Sequence, residues 1–378
     1  MKTKAIITEG SAKLRAPATG KDPFHKLVFY NSAMAFNRTL SSLAVGAAGA
    51  ETVLDGLCAT GARGVRYAVE NACVKKIVLV DANLNAIPFA KANIKLNKLE
   101  RRASMVGEEL NHYLSRTGEG GEKFDWLELD PFGTPVFFLD AALRKLASLK
   151  GGVLSITSTD LAKLCGKERA TCVRHYDCRP LRCEFSHELA VRLLLAAVAK
   201  RAGVFDLYVV PKVSFYEGHA VKIIADVLPG ALKADESLAK LAWLNYCVKC
   251  HSRATEPLPC RSCSACGGVA QPCGPLWTGK TSDEEFISKM IALNKARDYA
   301  EKKRVGAFLA KLLAENALPP LFIDLHQVAD ELGVNAPKTE TVLQQLRKKG
   351  FAAVATHYCP TGIRTDAGWK EVAEAALP

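Results

Sequence analysis

At 378 residues the chain exceeds one ordinary compact domain and implies two, with room for a small insert. A hydrophobic share of 49% supports a sizeable core, and 51 Lys and Arg against 39 Asp and Glu leave a charge of +12, which attracts polyanions such as nucleic acid. On charge alone, a slightly basic housekeeping protein fits as well. The opening MKTKAIITEGSAKLR lacks the apolar stretch of a signal peptide, and LAVRLLLAAVAKR (Leu189–Arg201) is interrupted by Arg192 and too short to span a bilayer. Thirteen cysteines without a secretion signal point to reduced thiols and metal binding rather than a disulfide framework. A cytoplasmic location with no membrane association is expected.

In chain order, short apolar runs alternate with helical stretches. The runs ETVLDGL, KKIVLVD, FDWLELD, GGVLSIT and FDLYVVPKVSF read as strands, and the segments Asn83–Lys98 and Pro135–Leu149 have helical apolar spacing. This alternation predicts an α/β fold with a mostly parallel, doubly wound sheet over residues 1–242. DLYVVPKVSFYEG and AVKIIADVL read instead as a hairpin turning at Glu217-Gly218, which closes the sheet antiparallel. Residues 243–279 form a Cys-rich insert with little periodicity. Beyond it, Ser282 and Glu285 have the spacing of a capping box that opens one long helix to about Glu315. DLHQVADELGV, KTETVLQQLRKKG and FAAVATHY then read as helix, helix, strand, an α+β winged-helix-like pattern over 280–378 that fits a generic packing module equally well.

Three loops carry chemistry. In ETVLDGLCATGARGVRYAVE a strand ends at Asp55, and a turn with Gly56, Gly61 and Gly64 leads into a helix, where backbone N–H groups can meet a ligand. The second strand ends at Asp81, whose carboxylate can hold two ribose hydroxyls, so the pair fits a dinucleotide or S-adenosylmethionine. Glu108-Glu109 follows the third strand, as an adenine contact or a solvated turn. FDWLELDPFG then places Asp130, Pro131, Phe132 and Gly133 at the C-terminal end of the fourth strand. An aromatic exocyclic amine is a poor nucleophile because its lone pair is delocalised. The Asp130 carboxylate and the Pro131 carbonyl can both accept its hydrogens and draw it toward tetrahedral geometry, while Phe132 offers a stacking face.

With these loops in view, the chain resembles the tRNA guanine-26 N2-dimethyltransferase family, which belongs to the class I S-adenosylmethionine-dependent methyltransferases. The similarity includes FYNSAMAFNR, LCATGARGVRYA, LDPFGTP, TSTDLAKLCG, GPLWTG and HYCPTGIRT, spread over nearly the whole chain. The resemblance implies two successive methyl transfers to the N2 amine of a guanine in tRNA, with base flipping to expose it. It implies a catalytic role for Asp130 and a base-stacking role for Phe132, a second aromatic wall from Phe29, and a cofactor pocket lined by Arg38, Arg63 and Asp81, which join Pro131 of the loop and Asp55 and Gly61 of the glycine turn as candidate site residues. At the third acidic motif the family usually reads Asp-Ala where this chain has Glu109-Leu110, which puts the adenine contact of Glu109 in doubt.

Cys247-x-x-Cys250 and Cys263-x-x-Cys266 suit a tetrahedral zinc knuckle, although Cys260 can exchange with Cys263 or Cys266. Cys165, Cys172, Cys178 and Cys183 read as buried small residues, near Arg174, Arg179 and Arg182, which fit phosphate contacts or structural roles equally. In the C-terminal region Lys302, Lys303, Arg304, Arg347, Lys348 and Lys349 are candidate tRNA contacts. Competing readings are an amino-methyltransferase for another nucleobase, an RNA-binding protein with a vestigial cofactor site, and a nicotinamide-dependent dehydrogenase. The dehydrogenase has no use for DPFG, and the vestigial reading requires loss of Asp130 or the glycine turn, both of which are intact. No obligate protein partner is evident.

Overall fold

A computed structural model of the chain describes residues 5–17, 28–116 and 122–377. It opens with an antiparallel hairpin of β1 (Ala5–Glu9) and β2 (Ala12–Ala16), which the sequence patterning did not announce. Then follow α1 (Ala35–Ala48), β3 (Thr52–Gly56), α2 (Ala62–Glu70), β4 (Lys76–Val80), α3 (Ile87–Leu96), β5 (Ala103–Val106), α4 (Leu110–Arg116), β6 (Trp126–Leu129), α5 (Val136–Ser148) and β7 (Gly152–Ser158). Helices α6 (Leu161–Leu164), α7 (Arg169–Tyr176) and α8 (Ser186–Gly203) lead to β8 (Leu207–Glu217) and β9 (Ala220–Pro229).

These strands make one seven-stranded sheet in the order β5-β4-β3-β6-β7-β9-β8. Pairing is parallel from β5 through β7 and antiparallel for β9 and β8, whose turn places Gly218 at φ +62. The hairpin closure expected at Glu217-Gly218 is thus present. Strand order reverses between β3 and β6, and the C-terminal ends of these two strands flank the crevice where open α/β sheets bind ligands.

The strands' period of two sorts their side chains onto two packed faces. Ile77, Leu79 and Trp126 join one core with α1 and α2, while Val78, Val80, Leu127 and Leu129 join the other with α5 and α8. Each such aliphatic side chain, fully removed from water, contributes roughly 1.5–3 kcal/mol. The apolar run around Arg192 is the core helix α8, and Arg192 is neutralised by Glu188 at 2.9 Å while donating to the Trp277 carbonyl at 2.9 Å. Among the described residues no helix is long and apolar enough to cross a membrane.

After α9 (Ala231–Leu238), the Cys-rich segment is more regular than its periodicity suggested. β10 (Leu241–Cys247), β11 (Arg253–Glu256) and β12 (Ala270–Trp277) form an antiparallel sheet in the order β11-β10-β12. The expected single helix from Ser282 to Glu315 is two helices, α10 (Glu284–Ala296) and α11 (Lys302–Asn316). Its cap is also corrected: Asp283, not Ser282, accepts the Phe286 N–H at 2.8 Å, and Ser282 Oγ accepts the Ser214 N–H at 3.3 Å. The break falls where Arg297 turns inward in extended conformation to reach Asn71 Oδ1 at 2.6 Å. Both helices share the α1/α2 core through Ile287, Met290, Val305 and Leu309.

A separate small core follows, built on β13 (Ile323–Asp324), α12 (Leu325–Leu332), α13 (Thr339–Lys348), β14 (Ala353–Ala355), β15 (Gly362–Thr365) and α14 (Trp369–Ala376). Its sheet, ordered β13-β15-β14, beside the three helices α12, α13 and α14 gives a winged-helix-like α+β arrangement. Arg364 of β15 reaches Glu188 of α8 at 2.9 Å, tying this module to the large sheet.

Candidate active site

The turn after β3 is shaped by strain. Leu57 and Ala59 adopt left-handed φ of 64° and 47°, and Gly61 follows at 71°. Such conformations cost about 1–3 kcal/mol at a non-glycine residue and persist only where surroundings enforce them. Here the Cys58 N–H donates to the Val80 carbonyl at 3.0 Å and the Ala59 N–H to Asp81 Oδ2 at 2.6 Å. Asp81 thereby fastens the glycine turn to β4, and its Oδ1 accepts the Asn83 N–H at 2.8 Å. Gly64 must be glycine, because a Cβ there would lie 2.4 Å from Leu79 and 2.8 Å from Asp55. Asp55 itself is buried and accepts the Gly64 N–H at 2.8 Å. Burial, then the charge of Glu128, lift its carboxyl to about 7, against the opposing pull of Arg63.

Across the switch point, Asp130 leaves the end of β6 with its side chain 27% exposed. Arg63 of α2 grips Asp130 Oδ2 through Nη2 at 2.6 Å and Nε at 3.1 Å. Arg63 is aimed in turn by Ser41 Oγ at 2.9 Å and Asn37 Oδ1 at 3.1 Å, both on α1. Burial alone would lift the Asp130 carboxyl, but Arg63 and then Lys222 outweigh it and hold it below the usual carboxylate value. The tetrad's shape is secured by β7: the Gly133 N–H donates to Thr159 Oγ1 at 2.9 Å and its carbonyl accepts the Thr159 N–H at 3.0 Å. Phe132, 65% exposed, meets Phe29 edge-to-face with ring centroids 4.4 Å apart.

Beneath Asp130 lies a group that sequence reasoning missed. Glu128, two residues back and fully buried, pairs with the fully buried Lys222 of β9, and accepts from Tyr67 Oη at 2.8 Å and Trp126 Nε1 at 3.2 Å. Lys222 also donates to Thr157 Oγ1 at 3.0 Å. The available signal was a charge flanked by apolar residues inside a strand, Glu128 in WLEL and Lys222 in AVKII.

Two of the expected cofactor residues have other partners here. Arg38 is buried and bound to Glu9 of β1 at 2.7 and 2.6 Å. Glu109 is exposed and caps α4, accepting the His112 N–H at 2.9 Å, while Leu110 packs against Gly56. The switch-point crevice still fits an adenosyl cofactor by its donor set: a carboxylate at the end of β4, the open backbone of a strained turn, and a helix N-terminus at α2.

The Cys-rich sheet gathers four thiols. Cys247 and Cys266 sulfurs are 3.6 Å apart, Cys250 and Cys263 also 3.6 Å, and all four lie within 4.8 Å of one another. Zinc–sulfur bonds of about 2.3 Å in a tetrahedron put sulfurs about 3.8 Å apart, so the group fits that ion. Burial would raise the Cys263 thiol, but the N–H groups of Cys266 and Ala265 help bring it down to about 6, toward the thiolate a metal needs. Cys260 lies outside the group and is exposed, and Cys273 is buried elsewhere.

Comparison with known proteins accords with this geometry. The family described as N2,N2-dimethylguanosine tRNA methyltransferase matches residues 10–376. The chain belongs to that family. A tRNA (guanine(26)-N(2))-dimethyltransferase of Methanothermobacter thermautotrophicus is 34% identical over 97% of both chains. One of Thermococcus kodakarensis is 35% identical, also over 97% of both. The solved structure of Trm1 from Pyrococcus horikoshii in complex with S-adenosyl-L-methionine is 31% identical, with TM-score 0.88 over 99% of this chain and 100% of that one.

Several blocks by which the sequence resembles the dimethyltransferase family meet in space. TSTD braces DPFG, and Asn37 of FYNSAMAFNR orients Arg63 of the glycine turn. The GPLWTG and HYCPTGIRT blocks converge on Glu188 and Arg192, away from the catalytic loop. Among the basic candidates of the C-terminal region, Arg304 is engaged by Glu217 at 2.7 Å, Lys349 by Glu374 at 3.0 Å and Arg347 by the Ala353 carbonyl at 2.9 Å. Lys303 and Lys348 are exposed.

Proposed function

We propose that this chain is a tRNA (guanine-26 N2)-dimethyltransferase, transferring two methyl groups from S-adenosyl-L-methionine to the exocyclic N2 of guanine in tRNA. The observation that carries this reading is the placement of Asp130: an ionised carboxylate, fixed by Arg63 at the switch-point edge, beside the Phe29–Phe132 pair and facing the strained glycine turn.

When bound, S-adenosylmethionine supplies an electrophilic methyl group, and Asp81, the Gly61 turn, Asp55 and Arg63 are the residues that hold or shape its pocket. Asp130 accepts one N2 hydrogen and the Pro131 carbonyl the other, which localises the nitrogen lone pair for attack. A carboxylate held below its usual range is charged when the amine attacks; the N2, cationic once methylated, then gives its proton to Asp130, which passes it to solvent and is charged again for the second transfer. Ring centroids 4.4 Å apart leave no room for a purine between Phe29 and Phe132, so the flipped base parts them and stacks on their faces. Cys247, Cys250, Cys263 and Cys266 hold a structural zinc, with residues 1–242 catalytic, 243–279 zinc-binding and 280–378 contributing to tRNA binding. The cytoplasm, where tRNA is processed, is the compartment this reading implies.

The test is methyl transfer from labelled S-adenosylmethionine to unmodified tRNA transcript, followed by nucleoside analysis. N2,N2-dimethylguanosine at position 26, abolished by Asp130→Ala, is the expected result. Label on another nucleoside would overturn the guanine assignment, and no transfer despite cofactor binding would favour an RNA-binding protein.

A further inference from the structure

Beside the catalytic loop lies a ledge whose features no step of the proposed reaction uses. Phe137 stands in the first turn of α5, directly after the DPFGTP loop, and is 63% exposed. Single exposed apolar side chains are ordinary on a protein surface, so Phe137 draws weight only from its place beside the DPFG loop and from the groups around it. Its ring meets His175 of α7 edge-on, with centroids 5.3 Å apart. The neighbouring Tyr176 hydroxyl lies 3.2 Å from both Ser158 Oγ and Asp160 Oδ2, at the end of β7. The ledge is therefore braced against the same loops that hold Asp130.

Two further observations make it unfinished. His175 Nδ1 and Asn111 Oδ1 are both shielded from solvent and lack a hydrogen-bond partner among the described residues. Asn111 sits against the ledge, donating to the Phe137 carbonyl at 3.2 Å. Shielded polar atoms of this kind are satisfied by ordered water or by a ligand, and two of them beside one exposed ring leave room for either. In addition, Arg169, Arg174, Arg179 and Arg182 are all exposed, and none forms an ion pair with a described residue. The occupant must therefore offer an aromatic face, polar edges and negative charge together. An unpaired nucleotide has all three: a base to stack, an edge to pair, and a phosphate.

We infer that this ledge holds a nucleotide next to the target guanine, its base stacked on Phe137 and its phosphate met by Arg174. The inference rests on the proposed tRNA guanine methylation. Flipping one base out unstacks its neighbours, and a second aromatic platform beside the catalytic loop replaces the lost stacking. Phe29 and Phe132 flank the reacting base, while Phe137 and His175 set where along the RNA that base is taken.

The experiment compares wild type with Phe137→Leu, Phe137→Trp and Arg174→Ala in methylation of tRNA transcript, and maps crosslinks from a photoreactive phenylalanine analogue placed at 137. Phe137→Leu should raise KM for tRNA roughly 10-fold and Phe137→Trp should retain wild-type KM, with cofactor affinity unchanged in both. Arg174→Ala should lower the slope of log affinity against log salt by about 0.7–0.9. Crosslinks should fall on a nucleotide adjacent to the methylated guanine. Normal methylation with Leu and Trp variants alike at wild-type KM, or crosslinks only to distant nucleotides, would overturn the ledge and leave the enzyme assignment standing. A wild-type chain that methylates no tRNA guanine removes the reading beneath it, a distinguishable failure.

Discussion

The charges around Asp130 are set by groups that no single segment contains, and their energetics can be read one residue at a time. Asp55 is the clearest titrating group. Its carboxyl keeps a proton to about 7 in the folded chain but only to about 3.9 when unfolded, so the unfolded state ionises first. Stability contributed at this site is present below about pH 4, falls as pH rises to about 7, and is level above, the loss being on the order of 4 kcal/mol. Asp55→Asn keeps an acceptor for the Gly64 N–H and removes the ionisation. The variant should gain a few kcal/mol on wild type between about pH 5 and pH 8 in urea unfolding, and a difference that does not change with pH would refute the assignment. The Glu128–Lys222 pair behaves differently, because both members are removed from water. Lys222→Met leaves buried Glu128 with only the more distant Arg63, at 3.8 Å, as its cation and should destabilise by about 3 kcal/mol, whereas adding Glu128→Gln should restore much of the loss. A double-mutant cycle with no coupling would show that the two do not act as a pair.

At the scale of elements, the loops were legible where the chemistry is local. DPFG follows directly on an apolar strand, and the two C-x-x-C pairs bring their own geometry, so both could be read from neighbouring residues. The partition of residues 282–315 could not. A continuous helical pattern runs through it, and the break at Arg297 is imposed by Asn71 and Ser42, which lie far back in the chain. The antiparallel sheet of β10, β11 and β12 was hidden for a similar reason, since Pro272 and Pro275 interrupt the alternation and the pairing partners are distant. This sheet carries all four clustered thiols on its loops and strand ends, so metal removal should be felt there first. Metal analysis should return about one zinc per chain. Chelation or Cys263→Ser should release it and speed amide exchange in β10 and β12 while the seven-stranded sheet stays protected. Unchanged exchange after complete metal loss would argue that the ion is not structural.

Over the whole molecule the charge is +12, but not every basic side chain is free to meet a partner. Much of the basic C-terminal set is committed to internal contacts, as with Arg304, which also stacks over Phe36 at 3.9 Å. Arg169, Arg174, Arg179 and Arg182, exposed and free of ion pairs among the described residues, follow the end of β7. Affinity for tRNA should therefore fall steeply with salt, by about 0.7–0.9 in log slope per phosphate contact. Neutralising Arg169 and Arg182 together should flatten that slope more than Arg304→Ala and Lys349→Ala together. The reverse order would place the main tRNA contacts on the C-terminal module.

The sequence by itself determined the fold class, the succession of strands, the glycine turn, the DPFG loop and the double C-x-x-C, because each is specified by residues within a few positions of one another. Only the tertiary structure decided how they act together. Arg63 meets Asp130 across 67 positions, Lys222 meets Glu128 across 94, and Arg38 is drawn to Glu9 of an unannounced hairpin. Such contacts depend on strand order and on which face each side chain takes once the sheet has formed, and periodicity carries no information about either.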